Sequence, residues 1–485
     1  MKRYLYKALE YTAGNFFKKL ILLILLPIFT RLMAPAQYAV YENLMIFIAF
    51  LSLIYFLGQQ QAVFSYFYNK KTPEYHFSYI STVFLIIASV GLLFSLFIIL
   101  FRNELSILIL RSSKWSNLFI YISIILFSDV ISGMGLSILN ILEKSRRYLI
   151  LGTLKNVVFL LLIIVGTVSH TLSITKIISY LMFSSLISLF LTAYFMVGVL
   201  NRFSPKIKKY FSSELAKKLL AFGIIMIPGT IAMMILRLSD RYMLTYFSAR
   251  NLYDVGIYAI GYRLGAVIIF LNSIVSLVYF PYAMKVKDNS SAKVSYKNMF
   301  YYYTIFAALA GFLIILFEKE IFYLLIDSAY FSSVKIVVFG VISSYLLGLF
   351  NLINLNFYVK KKAGRIAATV IFGALLNIFL NYLLIPNYGI MGAGIASVIA
   401  YLTIVIVNYL LAKSIYQVLY KLYKPFLAII LLALIAFLNL RVELNLANFV
   451  IKLLITLSLF VPLTIYFWKH RKNIMQSIFL VSEGD

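Results

Sequence analysis

The chain of 485 residues is 63% hydrophobic and only 12% charged, contains no cysteine, and carries a net charge of +28 from 44 Lys and Arg against 16 Asp and Glu. So little polar surface excludes a soluble globular domain, and the lack of cysteine excludes disulfides, thiolate metal sites and a Cys nucleophile. The basic residues are scattered through short loops, which points to anionic lipid headgroups as neighbours and away from nucleic acid.

Apolar runs long enough to cross a bilayer begin near residue 12 and recur to residue 468. Their approximate limits are 12–32, 40–66, 78–101, 116–141, 148–168, 174–198, 219–240, 255–281, 299–317, 333–357, 366–385, 389–411, 425–440 and 447–467. The reading is all-α: a polytopic membrane protein of about fourteen transmembrane helices. Lys2, Arg3 and Lys7 before the first run and Ala34-Pro35-Ala36 after it outline a signal peptide, but Thr30-Arg31 behind the core and Pro35 inside the cleavage site argue against removal.

Lys and Arg cluster in every second loop: 28 fall on one side, 11 at or near the ends of spans on the other and five deeper within spans. An omitted or invented span would interchange rich and poor loops from that point on, and no such reversal occurs. The positive-inside rule then predicts both termini in the cytoplasm. Every loop is short, the longest covering about 199–218, so no extramembranous catalytic domain is expected. Tyr38, Tyr41, Tyr66, Tyr68, Tyr258 and Tyr262, near segment ends, read as anchors in the headgroup zone.

Gln37-Tyr38-Ala39-Val40-Tyr41 and Asp254-Val255-Gly256-Ile257-Tyr258 are alike 217 residues apart, and the basic turn at Lys144 recurs at Lys361 with the same offset. Six spans separate the copies, an even number, so the halves share one orientation and form two pseudo-symmetric six-helix lobes. The expected division is an N-terminal lobe at 1–200, a basic cytoplasmic linker at 201–218, a C-terminal lobe at 219–412, and two further helices with a tail at 413–485.

A charge inside a span needs a function or an escape route to the interface. Lys18 and Lys19 lie about two turns into the first span and Lys155 about 12 Å into the fifth, where snorkelling to headgroups and substrate binding are both open. Arg237, Asp240 and Arg241 share a face near the outer end of the seventh span, as a self-neutralising surface triad or as part of a site. Arg263 lies about 13 Å below the outer surface with no acid one turn away, which argues for a hydrated cavity around an unpaired guanidinium. Arg31 ends the first span, with Glu42 as its nearest candidate partner. Asp129, near mid-span, is read as accepting a proton or ion, or as binding a hydroxyl of a neighbouring helix; Asn377, Asn381 and Gln59 to Gln61 carry the same ambiguity. A cationic interior suits an anionic ligand such as a diphosphate, for which the planar Arg fork is well shaped. Only three His exist, all near segment ends, so His-based acid/base catalysis within the bilayer is not expected.

The opening Gly14-Asn15 with Leu26-Pro27-Ile28-Phe29-Thr30-Arg31-Leu32 and then Ala34-Pro35-Ala36-Gln37-Tyr38, the block Ser239-Asp240-Arg241-Tyr242 through Val255-Gly256-Ile257-Tyr258 to Phe280-Pro281, and Asn381-Tyr382-Leu383-Leu384-Ile385-Pro386-Asn387-Tyr388-Gly389-Ile390-Met391-Gly392-Ala393-Gly394 resemble the polysaccharide-unit flippases of the multidrug/oligosaccharidyl-lipid/polysaccharide exporter superfamily. Ala39 departs from the pattern, which commonly has Gly after the Tyr. The resemblance implies a non-enzymatic transporter of the bacterial cytoplasmic membrane. It would move an undecaprenyl-diphosphate-linked oligosaccharide repeat from the inner to the outer leaflet by alternating access around a cationic central cavity, for O-antigen, capsule or exopolysaccharide synthesis. Arg263, Arg237, Arg241, Arg31, Lys19 and Lys155 are the candidate cations of that cavity, and Asp129, Asp240 and Glu42 the candidates for ion, proton or pairing roles. No cofactor or metal is implied beyond coupling to a proton or sodium gradient, and the implied partners are the lipid-linked glycan, membrane lipids, glycosyltransferases and a polymerase. The rival readings are a lipid-linked peptidoglycan precursor flippase, a drug/cation antiporter, and a membrane glycosyltransferase or polymerase acting on polyprenyl-linked sugars.

Overall fold

The computed structural model describes residues 20–21, 23–67, 72–203, 211–289 and 291–479, and among these the regular structure is helical, without strands. Lys19 and the start of the first predicted span lie outside the described residues. Contacts divide the chain into two compact units, Met1–Met33 with Gln37–Met234, and Ala34–Ala36 with Ile235–Asp485.

The first unit holds α1 (Leu23–Leu32), α2 (Pro35–Phe56), α3 (Gln59–Tyr66), α4 (Pro73–Leu100), α5 (Arg102–Leu110), α6 (Leu118–Ile141), α7 (Ser145–Val168), α8 (Ile174–Phe203) and most of α9 (Ser213–Phe247). Capping chemistry fixes the start of α4: the Thr72 hydroxyl accepts from Tyr75 N–H at 3.4 Å, Pro73 opens the helix and Glu74 sits in the first turn. The second predicted span is not continuous. Leu57 and Gly58 take left-handed φ values of 45° and 67° between α2 and α3. The cause is α9, whose Gly223 backs against the break so closely that a Cβ there would lie 1.8 Å from the Leu57 carbonyl oxygen. Fully buried Gln59 donates to that carbonyl at 3.0 Å and to Leu219 O at 3.1 Å, satisfying acceptors that water would otherwise have to reach.

The second unit holds α10 (Leu252–Gly265), a 3-10 turn, α11 (Ile269–Ile274), a π turn (Val275–Tyr279), α12 (Phe280–Lys285), α13 (Ala292–Leu316), α14 (Glu318–Leu325), a 3-10 segment (Ser328–Ile336), α15 (Val337–Val359), α16 (Ala363–Ile415), α17 (Tyr423–Arg441), α18 (Leu446–Lys469) and α19 (Arg471–Phe479). The eighth predicted span is thus α10 to α12, interrupted. Its π turn directly precedes Pro281, whose ring and missing N–H prevent the regular ladder from closing. Buried Asn272 holds the interruption, donating to Ser344 O at 2.9 Å and accepting from the Tyr303 hydroxyl at 2.6 Å.

Twelve helices among the described residues are long and apolar enough to cross a membrane. One of them, the 53-residue α16, carries non-helical Gly389 (φ 52°, ψ −130°) three residues after Pro386, between the predicted spans 366–385 and 389–411. Counting α16 as two spans and adding the shorter apolar α1 returns the fourteen expected. The repeat is visible in the backbone as well. Glu143 and Lys361, 218 residues apart, both take left-handed φ near 55°, and each is followed by a residue whose N–H reaches five positions back, Lys144 to Leu139 O and Lys362 to Phe357 O, both at 2.9 Å. Both turns are therefore Schellman caps, in register within one residue of the 217 read from the sequence.

The last two spans are clamped to α13 and α14 by polar groups. Lys319 donates to Leu440 O at 2.9 Å and Val442 O at 2.7 Å, buried Lys452 pairs with Glu320 at 2.7 Å, and Asn439 donates to Ile315 O at 2.8 Å and to Glu318 at 3.3 Å. Burial in this clamp, outside the spans, pushes the Glu318 carboxyl up to about 8, against the opposing pull of the Asn439 hydrogen bond and of Lys319 and Lys452.

Two outcomes follow from these contacts. Gly223→Ala should lower thermal stability in detergent by about 1–3 kcal/mol through overpacking on the Leu57 carbonyl, whereas Gly364→Ala, which meets open space, should leave it unchanged. For Glu318 the folded carboxyl binds its proton more tightly than the unfolded one, so the charge costs stability as pH rises from about 4.5 towards 8. Glu318→Gln should therefore raise the melting temperature measured at pH 8.5 and change it little at pH 5.

Candidate functional site

The end of α9 brings Arg237, Ser239, Asp240 and Arg241 against α10 and both halves of α16. Asp240 is fully buried, and three side chains hydrogen-bond its carboxylate. Tyr258 of α10 donates to Oδ2 at 2.5 Å, Ser397 of α16 to the same oxygen at 2.6 Å, and Asn381 of α16 to Oδ1 at 2.9 Å. The network continues from Asn381 Nδ2 to Asn377 Oδ1 at 3.0 Å, which also accepts from Ser239 at 2.8 Å. Asn377 and Asn381 bond each other because they are one helical turn apart, Asn381 carries the link to the carboxylate, and Ser397 reaches it from beyond the break at Gly389.

Beside this cluster Arg241 is 4% exposed, with its guanidinium carbon 4.8 Å from the Tyr262 ring centre and 5.2 Å from that of Tyr258. The two rings stack at 5.4 Å, and Nη1 donates to Arg237 O at 3.1 Å. Stacking on aromatic faces is a favourable way to hold a desolvated arginine. Of the two readings open for these residues, the surface triad is not formed: Asp240 and Arg241 are interior, and of the three only Arg237 is exposed. Tyr258 and Tyr262, expected to anchor at headgroups, are instead buried parts of this cluster, and Tyr38 and Tyr41 are buried in the first unit.

Arg263, the residue after Tyr262 on α10, is half-buried and engaged with its surroundings, which corrects the expectation of an unpaired guanidinium. In the first unit Arg31 is exposed and Glu42 buried, and each is likewise engaged. Lys155 and Asp129 form an ion pair at 2.5 Å between α7 and α6, with side chains about a quarter exposed or less. Lys155 thus does not snorkel to headgroups, and Asp129 finds an ammonium where a hydroxyl had been weighed.

The sequence reading named Asp240, Asn377 and Asn381 separately but did not join them, and it missed Ser397. The usable signal was polarity at helical spacing inside the otherwise apolar α16. The donor set is all oxygen and amide around one carboxylate, and the Asn381 carbonyl oxygen is buried without a hydrogen-bond partner. Such a set can hold a proton or a hard monovalent cation. Among the described residues no three His, Cys, Asp or Glu come together as transition-metal ligands would.

Residues 5–287 match the family described as polysaccharide biosynthesis protein. The chain is 26% identical over 287 residues to the uncharacterized membrane protein MJ1068 of Methanocaldococcus jannaschii, covering 57% of this chain and 53% of that protein, so it spans about half the length of this curated relative. Among solved structures, the lipid II flippase MurJ in an inward closed conformation superposes with a TM-score of 0.73 at 14% identity, over 96% of this chain and 99% of that one. An inward-facing multidrug resistance MATE family transporter of the MOP superfamily superposes with a TM-score of 0.58 at 16% identity, over 83% and 94%. The fold is that of flippase-type membrane transporters, and by the match across more than half its length the chain belongs to the polysaccharide biosynthesis protein family.

Proposed function

We propose that the protein moves a polyprenyl-diphosphate-linked oligosaccharide repeat from the inner to the outer leaflet of a bacterial cytoplasmic membrane, for assembly of a surface polysaccharide. The observation that carries this reading is Arg237, an exposed arginine ten residues, or about 15 Å, from the Phe247 end of a spanning helix. A guanidinium facing acyl chains is costly, up to about 2.5–3.5 kcal/mol at a helix centre on insertion scales, so a hydrated path is the better account of it. Its planar fork suits a diphosphate. Arg263 on α10 is the second cation of this reading. Arg241 acts differently: buried and stacked on Tyr258 and Tyr262, it positions the cluster and is not offered to cargo.

The gradient that biases such a cycle acts, on this reading, at Asp240. A proton or sodium ion on the carboxylate would compete with the Tyr258, Ser397 and Asn381 hydrogen bonds and so favour one arrangement of α9, α10 and α16 over another; a ligand shifts a conformational equilibrium only through such differential interaction. The second reading, a lipid-linked peptidoglycan precursor as cargo, is favoured by the superposition on MurJ. Both cargoes present a diphosphate, so the two readings share their cations and differ in the glycan.

In cells, Arg237→Ala or Arg263→Ala should abolish surface polysaccharide while intact lipid-linked repeats accumulate on the cytoplasmic side. Shortened repeats would instead support an enzyme, and loss of wall precursor transport with normal polysaccharide would support the second cargo. For coupling, the purified protein should show a thermal shift with sodium over potassium, or a shift with pH, that Asp240→Asn eliminates; indifference of the wild type to both would reject the role of Asp240.

A further inference from the structure

A second feature lies away from the charged cluster, on the face formed by α13, α17 and α18. Lys297 and Asn298 of α13 and Lys421 and Lys424 at the start of α17 line a cavity of about 170 Å³ together with Tyr301 and Thr304. Lys424 caps the Tyr301 ring, its ammonium 4.0 Å from the ring centre. Tyr301, Thr304 and Lys424 also begin a second, larger cavity of about 350 Å³, which runs on between Ile305, Leu309 and Phe312 of α13, Leu427 and Leu431 of α17, and Leu463 of α18. The first is cationic and the second apolar, and they are continuous through three shared residues. From Lys297 to Phe312 the groove follows fifteen residues of helix, about 22 Å, the depth of one leaflet with its headgroup layer.

We propose that this groove is the seat of a resident anionic diacyl glycerophospholipid, its headgroup phosphate among Lys297, Lys421 and Lys424 and an acyl chain along the apolar wall. Three arguments select this occupant. The cationic end belongs to the loops that carry the excess of Lys and Arg, the side on which anionic lipid headgroups attract basic residues. Lysines offer a phosphate compact point charges, here beside the side chains of Asn298 and Thr304. The far ends of α17 and α18 are fixed by the Lys319 and Lys452 clamp, and a groove between pinned helices suits a lipid that stays more than one that transits. Such a lipid would join α13 to the two last spans at the end opposite the clamp.

The test uses the full-length protein in nanodiscs containing phosphatidylglycerol and phosphatidylcholine, with retained lipid counted by native mass spectrometry after mild delipidation. The wild type should keep phosphatidylglycerol over phosphatidylcholine, and each lysine changed to alanine should lower that preference about five-fold, as about 1 kcal/mol per basic residue near the surface implies. Leu431→Trp, which fills the apolar part without touching charge, should expel the lipid. Inorganic phosphate at equal concentration should not displace it. Equal retention of the two phospholipids, or a preference indifferent to the three lysines, would overturn the proposal. So would displacement of phosphatidylglycerol by undecaprenyl phosphate with the same lysine dependence, because the groove would then be a cargo site.

Discussion

Without water, every polar group within a span must find its partner in protein, and the organisation of both units depends on that constraint. It is met at a few buried hubs, each located where a helix departs from regularity or where two helices must be fixed in register. Gln59 satisfies the carbonyl exposed by the break between α2 and α3, Asn272 bridges the interrupted path from α10 to α12, and Asp240 ties the end of α9 to α10 and to both halves of α16. Apolar packing alone gives weak registry here, since lipid tails are as apolar as leucine and do not favour one helix neighbour over another. The hydrogen-bonded hubs supply the missing specificity.

The same constraint sorts the intramembrane cations by job. Lys155 and Lys452 are neutralised by Asp129 and Glu320, and Arg241 is held on two aromatic faces. These three stabilise arrangement. Arg237, whose side chain stays exposed along a spanning helix, is of another kind. On the proposed reading an anionic cargo needs both kinds close together, because a charge that engages a ligand must be mounted on helices that do not yield when the ligand leaves. Arg241 donating to the Arg237 carbonyl links one kind directly to the other.

Much of the fold was legible in the sequence, because span length and the alternation of basic loops are set by bilayer thickness and membrane insertion, which act on local segments. The fourteen spans, the break at Gly389 and the repeated turn at Lys144 and Lys361 were of this type. What escaped was pairwise and long-range. The ends of α2 and α3 could not be seen within the apolar run 40–66, since the break is forced by Gly223, more than 150 residues away. Tyr258 and Tyr262 read as interfacial anchors because their identity fits either environment, and only the arrival of Asp240 and Arg241 from α9 decides between them. The Lys155 and Asp129 pair was nearer to hand: the two residues lie at similar distances from the turn joining their helices, so an antiparallel hairpin brings them to one depth.

That pair also bears on how the chain enters the membrane. Presented singly to the insertion machinery, α6 and α7 would each carry a charge disfavoured by about 2.5–3.5 kcal/mol at mid-bilayer. Partitioning as a hairpin lets the ammonium and the carboxylate neutralise each other before either meets hydrocarbon. The Schellman turn at 142–144 is then more than a connection, since its tight reversal sets the two opposite charges at one depth on facing helices.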